Sequence, residues 1–164
     1  MDAHAFDPQA FEADAFEVGP GGTNSSGIDN AICATLGRDS ALLTLMPNGV
    51  YFASAPPEAR RYVLVTHDGN PVDLAVFGRR AQEEIRYRIV AVGLSTMSPN
   101  MDQAAYRIDQ LLEDQPVTVA GYTWATVHRL NRIRETTVDP INPSARWHTR
   151  GGIYYALFAT GSAP

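Results

Sequence analysis

The stretch RLNRIRETTVDPINPSARWHTRGGIYYALFAT, residues 129–160, decides the fold. It covers most of two runs rich in β-branched and aromatic residues, 122–135 and 145–160, which Asp139-Pro140-Ile141-Asn142-Pro143 separates. Two prolines in five residues fix φ and remove backbone donors, so this segment reads as a rigid loop and its flanks as long strands. Gly151-Gly152 inside the second run is expected to form a β-bulge. Both long strands are expected near the centre of a sheet.

Upstream, Met101, Ala104, Ala105, Ile108, Leu111 and Leu112 share one stripe of a helix that Ser98-Pro99-Asn100 introduces and Pro116 ends. Val117-Thr118-Val119 is expected as a short strand. Before the helix, EIRYRIVAVGL (residues 84–94) sets Ile85, Tyr87, Ile89 and Ala91 against Arg86, Arg88, Val90 and Val92. One face is apolar and the other turns from charged to apolar, as in a strand entering a covered region. Residues 61–67 and 72–77 are further extended segments around Asp68-Gly69-Asn70-Pro71, and Val50-Tyr51-Phe52 is a short one. From Ile28 to Met46 the apolar positions follow helical spacing, with Ser26 or Asp29 as the N-cap. Gly37 weakens the middle of that helix, and Pro47-Asn48-Gly49 ends it. The order of helix, strands, helix and strands predicts an α+β domain: a mostly antiparallel sheet of five to six strands with two helices packed on one face.

At 164 residues, the chain is long enough for one domain with a real core. Its division is expected at three places: an acidic arm at 1–18, a Gly-rich linker at 19–27 and the domain at 28–164. No apolar run reaches the roughly 18 residues of a membrane span, and the first residues carry neither the basic nor the apolar region of a secretory signal. The protein is therefore expected to stay where it is made, with no membrane contact. Cys33 is the single cysteine, which excludes an internal disulfide.

Net charge is −5, and Asp2, Asp7, Glu12, Asp14 and Glu17 account for it. The remainder balances, which argues against a dedicated nucleic-acid binder. All thirteen basic residues are arginine. A G+C-rich genome produces that bias; the planar guanidinium fork also suits carboxylates at interfaces.

Motifs for catalysis are absent. The histidines His4, His67, His128 and His148 are dispersed without metal-ligand spacing, so no metal and no cofactor is expected. Without lysine there is no Walker phosphate loop, and no Gly-x-Ser-x-Gly elbow occurs. Glu83-Glu84 cannot act as a carboxylate pair, because neighbours on a strand point to opposite faces, and they read as a solvated strand entry. The chain is not expected to be an enzyme. Arg129, Arg132, Arg134, Arg146 and Arg150 gather on the last two strands. Barring bulges, Arg132 and Arg134 point one way and Arg146, His148 and Arg150 form another row. Such arginines suit a solvated face, an interface with carboxylates, or a channel lining that meets DNA phosphates.

The order of elements, with Arg132-Ile133-Arg134, the rigid loop and the aromatic strand Trp147 to Phe158, resembles the tail terminator or tail-completion proteins of long-tailed bacteriophages. The proline-led segment from Pro56 to His67 is similar to that family's early strand, and the likeness covers about residues 28–160. The resemblance implies a structural virion protein forming a ring, a hexamer, that caps the tail tube, stops its polymerisation and joins it to a head-side connector. Its implied partners are further copies of itself, the tail tube protein and the connector or stopper protein, with non-specific DNA contact in the lumen. Its implied location is the head–tail junction of the virion, and the host cytoplasm during assembly. A connector or stopper protein is the alternative within the phage class. Outside it, the alternative is a small-ligand or peptide-binding α+β domain.

The arm AFDPQAFEADAFEV (residues 5–18) departs from that family. Phe6, Phe11 and Phe16 recur every five residues, a step of about 140° on a helix and a change of face on a strand, so they line no single stripe. Burying each would stabilise by about 1.5–3 kcal/mol. The three are expected to enter separate pockets on a neighbouring chain, with the acids meeting arginines there.

Overall fold

A computed structural model describes residues 25–76, 79–95 and 99–160. The described elements are, in order, α1 (Ser25–Gly37), α2 (Ser40–Leu45), β1 (Val50–Phe52), β2 (Arg61–His67), β3 (Val72–Val76), β4 (Arg79–Ser95), α3 (Pro99–Leu112), β5 (Trp124–Val138) and β6 (Arg146–Ala159). The domain is α+β, with the helices on one face of a six-stranded, mostly antiparallel sheet.

The helical pattern from Ile28 to Met46 divides just after Gly37, the residue that weakens it. Asp39 then restarts it: its carboxylate accepts from Leu42 N at 2.7 Å as the N-cap of α2. Arg107 of α3 donates Nε and Nη2 to the same carboxylate at 3.0 and 2.6 Å. That guanidinium holds Asp39 below the usual carboxylate range and fastens α2 to α3. Helix α1 starts at Ser25, so Ser25–Gly27, expected as the end of the linker, are helical.

Strand order is β1-β2-β4-β6-β5, and β3 shares an edge of β4 with β2. Segments β2 and β3 therefore lie end to end along β4, and Asp68–Pro71 is a step between them; Asp68 N donates to Arg86 O at 2.7 Å. The short β1 runs parallel to β2 and is the exception to the antiparallel pattern. Strands β4 and β6 are interior, as expected of long apolar strands. Strand β5 is not: no described strand pairs its outer side, and its distal half is exposed and polar. The expected strand at 117–119 does not form either. Val117 and Val119 are buried from a loop, their side chains closing the core beside α1.

The helix-covered face carries Val63 and Val65 of β2, Ile85 and Ile89 of β4, and Ala156 and Phe158 of β6. Against them pack Ile28, Ile32 and Leu36 of α1 and Met101, Ala104, Ile108 and Leu112 of α3, each buried stripe residue contributing about 1.5–3 kcal/mol. Within this apolar layer two tyrosines stand opposite each other, Tyr87 on β4 and Tyr154 on β6, both fully buried. The Tyr87 hydroxyl donates to Asp29 of α1 at 2.5 Å, and the Tyr154 hydroxyl to Asp109 of α3 at 2.5 Å. One rung of the sheet thus holds both major helices.

The expected bulge at Gly151-Gly152 is a correction. The β4–β6 ladder passes through both glycines without a register shift, and the irregularity lies on β5, between Arg129 and Asn131. What the glycines supply is close approach. A Cβ at Gly152 would lie 2.6 Å from Asn131 O, and one at Gly151 would lie 2.8 Å from Val90 Cα and closer still to Ile89 O.

Gly151→Ala and Gly152→Ala should each destabilise the domain by about 3 kcal/mol in urea unfolding, because the clashing atoms are mostly backbone. Gly37→Ala, where a Cβ meets nothing within 4 Å, should stabilise it by up to about 1 kcal/mol. Burial and the neighbouring aspartates raise the Tyr87 and Tyr154 phenols above their ordinary value. Their contribution to stability is therefore complete below the unfolded-chain value of about 10 and is lost as pH rises beyond it. Unfolding free energies measured from about pH 8 to 11 should fall at the alkaline end, and less steeply in the Tyr87→Phe/Tyr154→Phe variant.

Candidate functional site

The extra residue on β5 is Leu130, and it resets the strand's phase. Before it, Arg129 pairs with Tyr154; after it, Arg132 pairs with Gly152, Arg134 with Arg150 and Val138 with Arg146. All five arginines consequently stand on the helix-covered face, beside α3. Two separate rows were expected; the register of the β5–β6 pairing puts Arg132 and Arg134 on the same face as Arg146 and Arg150, and the bulge brings Arg129 to that face as well.

Three of the five are committed inside the domain. Arg129 Nη1 forms a close ion pair with Asp109 and lies 3.7 Å from Glu113, and these acids raise its pKa further. Arg134 Nη2 meets Asp102 Oδ1 at 2.7 Å. Arg150 is only 8% exposed; its Nη1 donates to Glu135 O at 2.5 Å and Thr149 O at 3.0 Å, and its Nε lies 3.3 Å from Asp102 Oδ1 without hydrogen-bond alignment. Acids at a spacing of seven on α3, Asp102 and Asp109, thus read two positions along the sheet. The sequence signal for this was present, since 102, 109 and 113 are all acidic and nearly in one row of the helix.

Arg132 and Arg146 have no acid partner among the described residues. Arg132 is exposed in a groove of about 440 Å³ between α3 and β5, where it shares the wall with Tyr106, itself 62% exposed. Arg146 donates Nη1 to the carbonyls of Pro143 and Ala145 at 2.7 and 3.1 Å. The loop between them is tied by its own side chains: Asp139 Oδ1 accepts from Ile141 N at 3.0 Å and Asn142 Oδ1 from Ser144 N at 3.1 Å. It displays Ile141 at 91% exposure. Phe6, Phe11 and Phe16 lie outside the described residues.

Chemistry at the remaining titratable groups is structural. Glu83 is a further correction: instead of a solvated entry it is fully buried, and the Tyr122 hydroxyl donates to it. It occupies the helix-covered face because Tyr122, packed edge-on against Phe158, brings a phenol to meet it. His67 Nε2 meets Asp29 at 2.9 Å and His128 Nδ1 meets Asp114 at 3.0 Å. Burial pushes the Cys33 thiol up to about 11, so it offers no thiolate at neutral pH. Among the described residues no three His, Cys, Asp or Glu side chains converge as a metal site, and no described helix is long and apolar enough to cross a membrane.

No family model matches the chain, and no curated protein matches it. In three dimensions it is similar to a chain of the virion of a native gene transfer agent particle, with a TM-score of 0.59 at 16% identity, over 82% of this chain and 96% of that one. A second solved protein, whose name describes no function, is similar with a TM-score of 0.56 at 16% identity, over 87% of this chain and all of that one. At this identity the likeness is one of fold.

Since Arg129 and Asp109 are both largely covered, a double-mutant cycle with Arg129→Met and Asp109→Asn should return a coupling of about 1–3 kcal/mol in chemical unfolding. The same cycle on the exposed pair Arg88–Glu135, 3.0 Å apart, should return less than about 0.5 kcal/mol.

Proposed function

We propose that this chain is a structural virion protein that assembles into a hexameric ring at the end of a phage-type tail tube, stops the tube's polymerisation and joins it to the head-side connector. The observation that carries the reading is the fold, which extends over 96% of a chain of a gene transfer agent virion.

The surfaces fit a head-to-tail association. One face of the sheet is covered by helices and the other has no described element over it. That open face is charged at one end and apolar at the other: Glu84, Arg86 and Arg88 of β4 stand on it beside Leu157, Tyr155 and Ile153, and Leu64, Val90, Tyr62 and Val92 continue it. Its apolar end and the projecting Ile141 are different patches of one molecule, and different patches meeting in turn generate a closed ring when the rotation closes. Of the five arginines of β5 and β6, Arg132 and Arg146 are the two left for carboxylates of a neighbour or for phosphates in a lumen. In this reading Phe6, Phe11 and Phe16 anchor each copy to the next through the arm.

Electron microscopy and light scattering of the purified protein, alone and with its tail tube protein, should show six-membered rings in at least the second case. A chain monomeric in both would overturn the reading. Replacing Phe6, Phe11 and Phe16 by Ala should leave the thermal melt unchanged and weaken assembly; assembly at the wild-type concentration would remove the arm from it.

A further inference from the structure

We infer that one phenylalanine–acid unit of the acidic arm of one copy docks on the end of the sheet of a second copy where β2 and β6 begin and β4 finishes, its carboxylate meeting Arg61 and Arg146 and its phenyl ring lying on Tyr62, Leu94 and Trp147. The inference rests on the reading of the arm as an anchor to a neighbouring chain and names the surface that receives it.

Two sets of arginines differ in their partners. Arg88, Arg107, Arg129, Arg134 and Arg150 each reach an acid within the domain. At the one end of the sheet, Arg60 Nη1 reaches only Pro57 O at 3.5 Å, Arg146 only carbonyls, and Arg61 has no side-chain partner among the described residues. Backbone register places them together. Arg61 pairs with Gly93, and Gly93 with His148, which stands two residues from Arg146 on β6. With strands about 4.8 Å apart and about 3.3 Å per residue, the Cα atoms of Arg61 and Arg146 are about 12 Å apart. The acids nearby are otherwise engaged or exposed: Asp102 holds Arg134 and Arg150, Asp139 accepts from Ile141 N, and Glu58 lies on the surface. The cations are in excess.

The other side of the same strand ends is apolar. Tyr62 pairs with Val92 and Leu94 with Trp147, on the face that no described helix covers, and Tyr51 stands edge-on to Tyr62 with ring centres 6.0 Å apart. Cations on one side and aromatic surface on the other make a two-sided rim.

The arm has the matching pattern. Each phenylalanine is followed at once by an acid: Phe6-Asp7, Phe11-Glu12 and Phe16-Glu17. In an extended segment successive side chains point to opposite sides, so each unit offers a phenyl group one way and a carboxylate the other. Five extended residues span about 17 Å and reverse the sides, so the next unit presents its phenyl group where the first presents its carboxylate, and one unit at a time occupies the rim. The donor is a second copy because the arm is read as the anchor of each copy to the next, and docking within one chain is a separate outcome of the test.

The test uses a fluorescein-labelled peptide of residues 1–18 as the probe and, as the receptor, the full chain with Phe6, Phe11 and Phe16 replaced by Ala. Anisotropy should show saturable binding, weakened at least tenfold by Arg61→Glu/Arg146→Glu and by a smaller factor by Arg61→Gln/Arg146→Gln, with circular dichroism confirming that each receptor is folded. Equal binding to all receptors overturns the proposed surface and leaves the arm reading standing. Absence of binding to any receptor overturns both. If the glutamate variant loses affinity for a labelled DNA duplex but keeps the peptide, the rim serves phosphates and the inference fails. Mixing the Phe-to-Ala chain with the Arg61→Glu/Arg146→Glu chain, which keeps its arm, should restore association that neither shows alone; docking within one chain would restore none.

Discussion

The rung formed by Tyr87 and Tyr154 holds the domain in one arrangement. These residues face each other across the two interior strands, and each donates its hydroxyl to an aspartate of a different helix. The penalty falls on the phenols: a fully buried hydroxyl without an acceptor costs about 1–3 kcal/mol, so each helix is favoured in the position that brings its aspartate to the tyrosine. Hydrophobic packing alone would let α1 and α3 slide along an apolar sheet with little change in buried area. The two phenols remove that freedom, and α2 is then fixed through Arg107 and Asp39.

From the fixed position of α3 the ion pairs follow. Asp109 is shared between Tyr154 and Arg129, and one stretch of helix thereby joins the interior strand β6 to the edge strand β5. Strand β5 needs this because its outer side has no described partner and its distal half is exposed. Charged side chains and a bulge are also the usual means by which an unpaired edge is kept from adding strands at random. The arginines of β5 are in this sense a part of the fold, and the cations open to other molecules are the smaller set at Arg132 and at the beginning of β2 and β6.

Most of the architecture could be read from residue patterns. The stripe on α3, the alternation on β4 and the proline loop before β6 each reflect local rules, and each element formed where its pattern lay. Gly37 divided the first helix because a helix weakens at glycine, which is also local. What could not be read depended on partners distant in the chain. Val117 and Val119 have strand-like side chains but find no strand to pair with. Glu83 appears solvated by its neighbours in sequence, and is buried because Tyr122 reaches it from a loop thirty-nine residues away. The five arginines are visible as a group; their common face is not, since it follows from the register of β5 against β6 and, for Arg129, from one unpaired residue on β5. The glycine pair in β6 reads as a bulge, yet the bulge lies on β5, and the glycines serve the close approach of the neighbouring strands, which depends on backbone distant in the chain.

Leu130 has a consequence for how this sequence can vary. On a regular strand, a gained or lost residue turns everything beyond it to the other face. Here the reversal has already been used, and the arginine on one side of Leu130 and the two on the other agree in direction only because of it. Residues 124–129 and 131–138 therefore behave as two separately framed words with a spacer between them. Relatives of this protein could exchange leucine for almost any residue at that point, yet a deletion there would set one word out of frame, sending either the Arg129 contact or the Arg132–Arg134 pair to the far side of the sheet.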